Sequence, residues 1–109
     1  MTDDPSDHSP IEMLRALGEP TRIRIVDEIA AGGPLGVAVL AGRLGLPYMA
    51  VWHNLSSLRR ARVLAVRRCG QFIEYSFAPG VFTPSADGGE LGTLNVGAWR
   101  ISIGRTAEK

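Results

Sequence analysis

Cysteine is almost missing from this chain, acid is missing from its middle, and long apolar runs are missing throughout. A single cysteine, Cys69, leaves no partner for an internal disulfide and no thiolate set for a zinc site. No apolar run approaches the roughly 20 residues that a membrane-spanning helix needs, so no membrane partner is expected. The first ten residues are acidic and polar, the opposite of a secretory leader, and a cytoplasmic location is the expectation. Phosphate-binding loops, dinucleotide fingerprints and paired-carboxylate motifs do not occur. His53 and Ser57 stand four residues apart on one expected helix, but no nearby acid orients the histidine and no glycine-rich turn surrounds the serine. The chain is therefore expected not to be an enzyme and to carry no cofactor.

The missing acid is the most informative of these absences. Residues 29–73 hold six arginines, Arg43, Arg59, Arg60, Arg62, Arg67 and Arg68, and no Asp or Glu. The first 28 residues hold seven acids against three arginines, a net of −4, and the whole chain is only +1. Charge is thus segregated, and a basic block in a balanced chain suggests a surface for a polyanion, most often nucleic acid. At 109 residues the chain makes one domain with a small core, which a partner subunit would help to stabilise.

Residues 1–9 are rich in Asp, Ser and Pro and read as a flexible start. Ser9-Pro10 resembles an N-cap with proline at the first helical position, and Ile11, Leu14 and Leu17 follow at helical spacing up to Gly18. Pro20 reopens a helix whose apolar face is Ile23, Val26, Ile29 and Ala30, stopped by Gly32-Gly33-Pro34. A third helix is expected over residues 35–44, with Gly45 as its stop, and a fourth from Pro47 to about Arg60. The period then changes to two. Residues 63–68 and 72–77 read as strands, Ile73, Tyr75 and Phe77 on one face and Glu74 and Ser76 on the other. Cys69-Gly70-Gln71 is the expected turn, with Gly70 free to take positive φ. Residues 78–90 read as a loop. Trp99, Ile101 and Ile103 alternate with Arg100 and Ser102, a strand signature that Leu94 and Val96 either extend or precede as another strand.

On the fourth helix, Val51, Leu55 and Leu58 form the apolar stripe at 3.6 residues per turn. Met49, His53, Ser56 and Arg60 lie opposite, Trp52 on the boundary and Tyr48 nearer the apolar side. That outward set suits the edges of the major groove, where Arg meets guanine and apolar atoms meet the thymine methyl. Gly45-Leu46-Pro47 supplies the sharp turn of a helix-turn-helix. The hairpin brings Arg67, Arg68 and Gln71 to a tip that reaches phosphates or a minor groove. The DNA-binding set is thus Tyr48, Met49, Trp52, His53, Ser56, Arg59, Arg60, Arg67, Arg68 and Gln71. A second reading makes Tyr48, Trp52 and Phe72 the anchors of a protein–protein contact. Cys69, beside two arginines at the hairpin tip, is a candidate redox site, although one cysteine without a resolving partner is usually incidental.

These residues resemble the ArsR/SmtB family of winged-helix repressors. LRALGEPTRIRIVDEI is similar to the family's opening two helices, LAGRLGLPYMAVWHNLSSLRRARVL to its helix-turn-helix and VRRCGQFIEYSF to its wing. The resemblance implies an α+β winged helix-turn-helix of four helices and a β-hairpin wing. It also implies a homodimer that binds double-stranded DNA, usually as a repressor of its own operon, and that an effector releases; no effector is identified. In the best-known metal sensors of the family two cysteines open the third helix, where this chain has Gly36 and Ala38. Neither side chain offers a donor. A second family site uses His and acids on a C-terminal helix, but this chain has only His8 and His53 and no such helix, so no metal is expected. Trp52 stands where the family often has Ser. The glycine-rich residues 79–109 are expected as a loop plus a C-terminal β-strand or hairpin, following a DNA-binding domain at 10–78. The first helix and this extension are the expected dimer contact.

Overall fold

The computed structural model describes residues 10–105. The flexible start expected over residues 1–9, and with it the Ser9 cap, lies outside them. Four helices come first: α1 (Pro10–Leu17), α2 (Pro20–Gly32), α3 (Val37–Leu44) and α4 (Tyr48–Arg60). They are followed by β1 (Leu64–Cys69), β2 (Phe72–Phe77), β3 (Phe82–Pro84), β4 (Glu90–Val96) and β5 (Trp99–Gly104).

Proline opens both α1 and α2, where its missing N–H is no loss. The Glu19 carboxylate caps α2 by accepting the Arg22 amide at 3.2 Å. α1 buries Met13 and Ala16, leaving Leu14 and Leu17 half-buried and Ile11 59% exposed. This corrects the expected face of Ile11, Leu14 and Leu17. α2 likewise buries Ile25, Val26 and Ile29, while the expected Ile23 is exposed. In both helices, contacts with the other helices and the C-terminal sheet choose the buried stripe among several apolar candidates.

α3 starts at Val37, not at residue 35, because Leu35 is used elsewhere. Its N–H donates to the Tyr75 carbonyl at 3.1 Å and its carbonyl accepts the Tyr75 N–H at 2.8 Å. That bridge lays residue 35 against the β1–β2 hairpin in extended form. The hairpin is antiparallel, from Leu64 opposite Phe77 to Cys69 opposite Phe72. Cys69 therefore closes β1, and the turn shrinks to Gly70-Gln71. Arg68, Ile73 and Tyr75 share the face of the hairpin that turns toward the core. Tyr75 is buried there, but Ile73 lies beyond the core's edge and is exposed.

The C-terminal third differs most from expectation. The loop expected over residues 78–90 contains β3, while the C-terminal strand or hairpin expected after it is a hairpin of two strands joined at Gly97-Ala98. β3, β4 and β5 form one antiparallel sheet in that order. Phe82 on β3 stacks on Phe77 with ring centroids 4.6 Å apart, joining this sheet to the wing. Asn95 ties the connection down: its amide side chain donates to the Gly80 carbonyl at 3.0 Å and to Thr83 Oγ1 at 3.1 Å. Gly97 has φ 60, and a Cβ there would lie 2.5 Å from Pro10 Cγ. Only glycine lets the β4–β5 turn sit on the start of α1. Leu94, Val96 and Ile103 complete the core that the helices begin.

Two local devices fix α4. The Arg22 guanidinium donates to Asn54 Oδ1 at 3.0 Å and to the Ala16 carbonyl at 3.3 Å. Asn54 donates in turn to the Ala50 carbonyl at 2.9 Å, so the end of α1, the start of α2 and the middle of α4 are clamped together. At the C-terminus the Val63 N–H reaches back to the Leu58 carbonyl at 3.0 Å, and Arg62 takes φ 69. This is the closure in which glycine is usual, and an arginine there costs about 1–2 kcal/mol of backbone strain. Urea denaturation should therefore show Asn54→Ala less stable by about 1–3 kcal/mol, since it strands the guanidinium without its acceptor. Arg62→Gly should be more stable by up to about 1 kcal/mol, the strain relieved less the entropy glycine loses.

Candidate nucleic-acid interface

α4 stands on Val51, Leu55 and Leu58, each with no exposed surface, and this decides what faces out. Tyr48, Met49, Trp52, His53, Arg59 and Arg60 are exposed, and Ser56 is half-buried. Tyr48 is 53% exposed, more than its place on the helical wheel suggests, because it sits in the first turn, beyond the packed part of α3. Trp52 and His53 meet edge to face, ring centroids 5.2 Å apart, which restrains both rings. Arg60 donates to Ser57 Oγ at 3.4 Å and makes no ion pair among the described residues.

The wing carries Arg67, Arg68 and Gln71, all exposed. Their roles separate in the register. Arg67 faces Glu74 and pairs with its Oε1 at 3.4 Å, while Arg68 lies opposite Ile73 on the other face. The Arg62 and Arg68 side chains make no hydrogen bond or ion pair among the described residues, and Arg59 makes no ion pair among them. Arg59 lies near enough to Tyr75 to matter electrostatically. Burial pushes the Tyr75 hydroxyl above its ordinary value, and the Arg59 guanidinium pulls the other way. Arg43, by contrast, is consumed by Glu28 of α2 at 3.2 Å. The basic block thus divides into one internal pairing, one half-engaged wing arginine, and a cluster left to solvent.

Between the start of α3, the start of α4 and the wing lies a hollow of about 450 Å³. Its walls include Val39, Tyr48, Trp52, Phe72 and Ile73. The structure therefore brings together the three aromatics singled out in the sequence, Tyr48, Trp52 and Phe72. It adds Val39 and Ile73, whose exposure the sequence did not signal because both sit in apolar periodic segments. Arg62 was visible only as one charge among several; its positive φ depends on how α4 ends. Asn54 gave no signal, since a polar residue on the side of a helix is ordinary.

Cys69 is half-buried at the end of β1, and its thiol donates to Glu74 Oε1 at 3.5 Å. It shares that carboxylate with Arg67 rather than standing free beside the arginines. Gly36 caps α3 and Ala38 lies in its first turn, so the positions of the family's paired cysteines carry no donor atoms. Among the described residues no group of three or more His, Cys, Asp or Glu is assembled, and no helix is long and apolar enough to cross a membrane.

No family model matches the chain. It is 33% identical over 64 residues to the transcriptional repressor SdpR of Bacillus subtilis, covering 59% of this chain and 70% of that protein. The transcriptional repressor PagR of Bacillus anthracis superposes with a TM-score of 0.60 at 31% identity, over 64% of this chain and 79% of that one. The homodimeric winged helix-turn-helix DNA-binding domain of Mb0332 from Mycobacterium bovis, a possible ArsR-family regulator, superposes with a TM-score of 0.59 at 26% identity, over 62% of each chain. With a shared winged helix-turn-helix fold and a repressor covered over 70% of its length at 33% identity, the chain belongs to the ArsR/SmtB family of winged-helix DNA-binding transcriptional regulators.

Proposed function

We propose that the chain is a homodimeric repressor that binds a pseudo-palindromic operator in its own promoter. α4 enters the major groove with Met49, His53 and Ser56 toward base edges and Tyr48 and Trp52 toward thymine methyl groups. Arg59, Arg60, Arg62, Arg67, Arg68 and Gln71 hold the backbone on either side. The observation that carries this reading is the placing of charge. Arg62 and Arg68 flank α4 with no partner among the described residues, and residues 29–73 contain no acid to neutralise them. Two relatives named as repressors, SdpR and PagR, support the direction of regulation.

The homodimer supplies two copies of α4 to half-sites about one helical turn apart. α1 and the C-terminal sheet form its contact. Ile11 and Trp99 are 59% and 63% exposed, large apolar side chains that a second copy would cover. β5 is also a free sheet edge of six residues, whereas the opposite edge, β3, is three residues long and ends in Pro84. The homodimeric winged helix-turn-helix domain of Mb0332 supports the same state.

Fluorescence anisotropy with labelled DNA from the gene's own promoter, against a scrambled duplex at two salt concentrations, tests the DNA reading. The promoter duplex should bind more tightly and lose affinity with salt; equal weak binding to both would overturn autoregulation. Arg68→Ala should flatten the slope of log K against log salt by about one unit. Arg67→Ala should flatten it less, because Glu74 already takes part of its charge. Sedimentation at micromolar concentration should give the dimer mass for the wild type and the monomer mass for Trp99→Glu. A wild-type monomer would remove the two-fold operator from the proposal.

A further inference from the structure

A second concavity lies on the side of the domain formed by α1, α2 and the C-terminal sheet. It is a groove of about 430 Å³, within the roughly 300–1,000 Å³ range of small-molecule sites. Leu14 and Leu17 of α1, Ile23 of α2 and Ile101 of β5 make its apolar walls. One ionisable side chain, Asp27, also lines it. Every other described carboxylate is either engaged or fully exposed. Glu12 is engaged, Glu19 caps a helix, Glu28 and Glu74 pair with arginines, Asp87 binds within its own turn, and Glu90 is exposed. Asp27 is half-buried, and its side chain has no hydrogen bond or ion pair among the described residues.

We propose that this groove binds a small amphipathic cation, its ammonium or amidinium on Asp27 and its apolar body against Leu14, Leu17, Ile23 and Ile101. The argument is charge complementarity in an apolar setting. Asp27 is the one ionisable group on the groove and its side chain meets no cation among the described residues; burial raises its carboxyl above the ordinary range, and the neighbouring Glu28 raises it further. A purely apolar plug would leave the carboxylate desolvated and unpaired, which is costly. That argues against closure by an apolar segment of a second copy. Ile11 and Trp99, assigned above to the dimer contact, are not among the groove's walls, but α1 and β5 contribute to both, so the groove and that contact are neighbours. The proposal does not depend on DNA binding and is tested without DNA.

The test is a methyl-detected NMR titration of the full chain with 2-phenylethylammonium, and in parallel with its neutral counterpart 2-phenylethanol. Methyl signals of Leu14, Leu17, Ile23 and Ile101 should move with the ammonium, at an affinity about tenfold or more above that of the alcohol, as a charge-assisted bond requires. Asp27→Asn should erase the difference between the two probes, and an unchanged amide fingerprint elsewhere would show the variant folded. The comparison of probes on the wild type needs no variant at all. Equal affinity for both probes, a preference that survives Asp27→Asn, or no methyl response at millimolar concentration would overturn the proposal. So would intermolecular contacts placing a second copy in the groove.

Discussion

Val51, Leu55 and Leu58 lie flat against the helices and hairpin beneath them, and the orientation of everything on α4 follows from that seam. Each side chain is fully out of water, worth about 1.5–3 kcal/mol relative to exposure. Rotating α4 by one residue would expose all three and bury polar groups in their place. The clamp from Arg22 to Asn54 adds direction to what apolar burial leaves loose, because hydrogen bonds at 3.0 and 2.9 Å tolerate little sliding. The outward face of Met49, His53 and Arg60 is therefore a consequence of the inward one.

Charge is distributed with the same economy. Acids outside the basic block are used on structural tasks within it or beside it: Glu28 takes Arg43, and Glu74 takes Arg67 and the Cys69 thiol. What remains unpaired gathers at the end of α4 and on one face of the wing. Arg62 is the sharpest instance, a cation kept at a backbone conformation where glycine is more comfortable. Strained backbone positions of this kind cluster at functional surfaces. The hollow at the start of α4 is walled by apolar and aromatic side chains with Gln71 and Glu74, a lining of the kind that meets thymine methyls. Family membership weighs for that use over a protein contact.

The C-terminal sheet is part of the core. Val96 and Leu94 reach the helices, Phe82 stacks on the wing's Phe77, and Gly97 lets the second hairpin touch Pro10. A glycine-rich segment, poor as a helix, succeeds as a meander because each turn has the residue that its backbone needs and each strand alternates apolar with polar. Its two edges are unequal: β3 is short and ends in proline, whereas β5 is longer and open. The groove lies where α1 and α2 meet this sheet, between Leu14, Leu17 and Ile23 on the helices and Leu94, Ile101 and Ile103 on the strands.

Much of this was legible in the residues alone. The apolar stripe of α4, the Gly45 turn, the switch to period two after the helices and the segregation of arginine from acid depend on local spacing and composition. They determined four helices, a hairpin wing and a basic surface. The choices between near-equal candidates were not legible. Whether Ile11 or Met13 faces inward, whether Leu35 starts a helix or bridges to Tyr75, and whether residues 78–90 hold a strand depended on partners distant in sequence. So did the separation of Arg67 from Arg68, which turns on one cross-strand position, and the burial of Asp27 beside an apolar groove. Periodicity names the side chains able to be buried; only tertiary packing decides which of them meet a partner, and so which charges and apolar surfaces are left over for function.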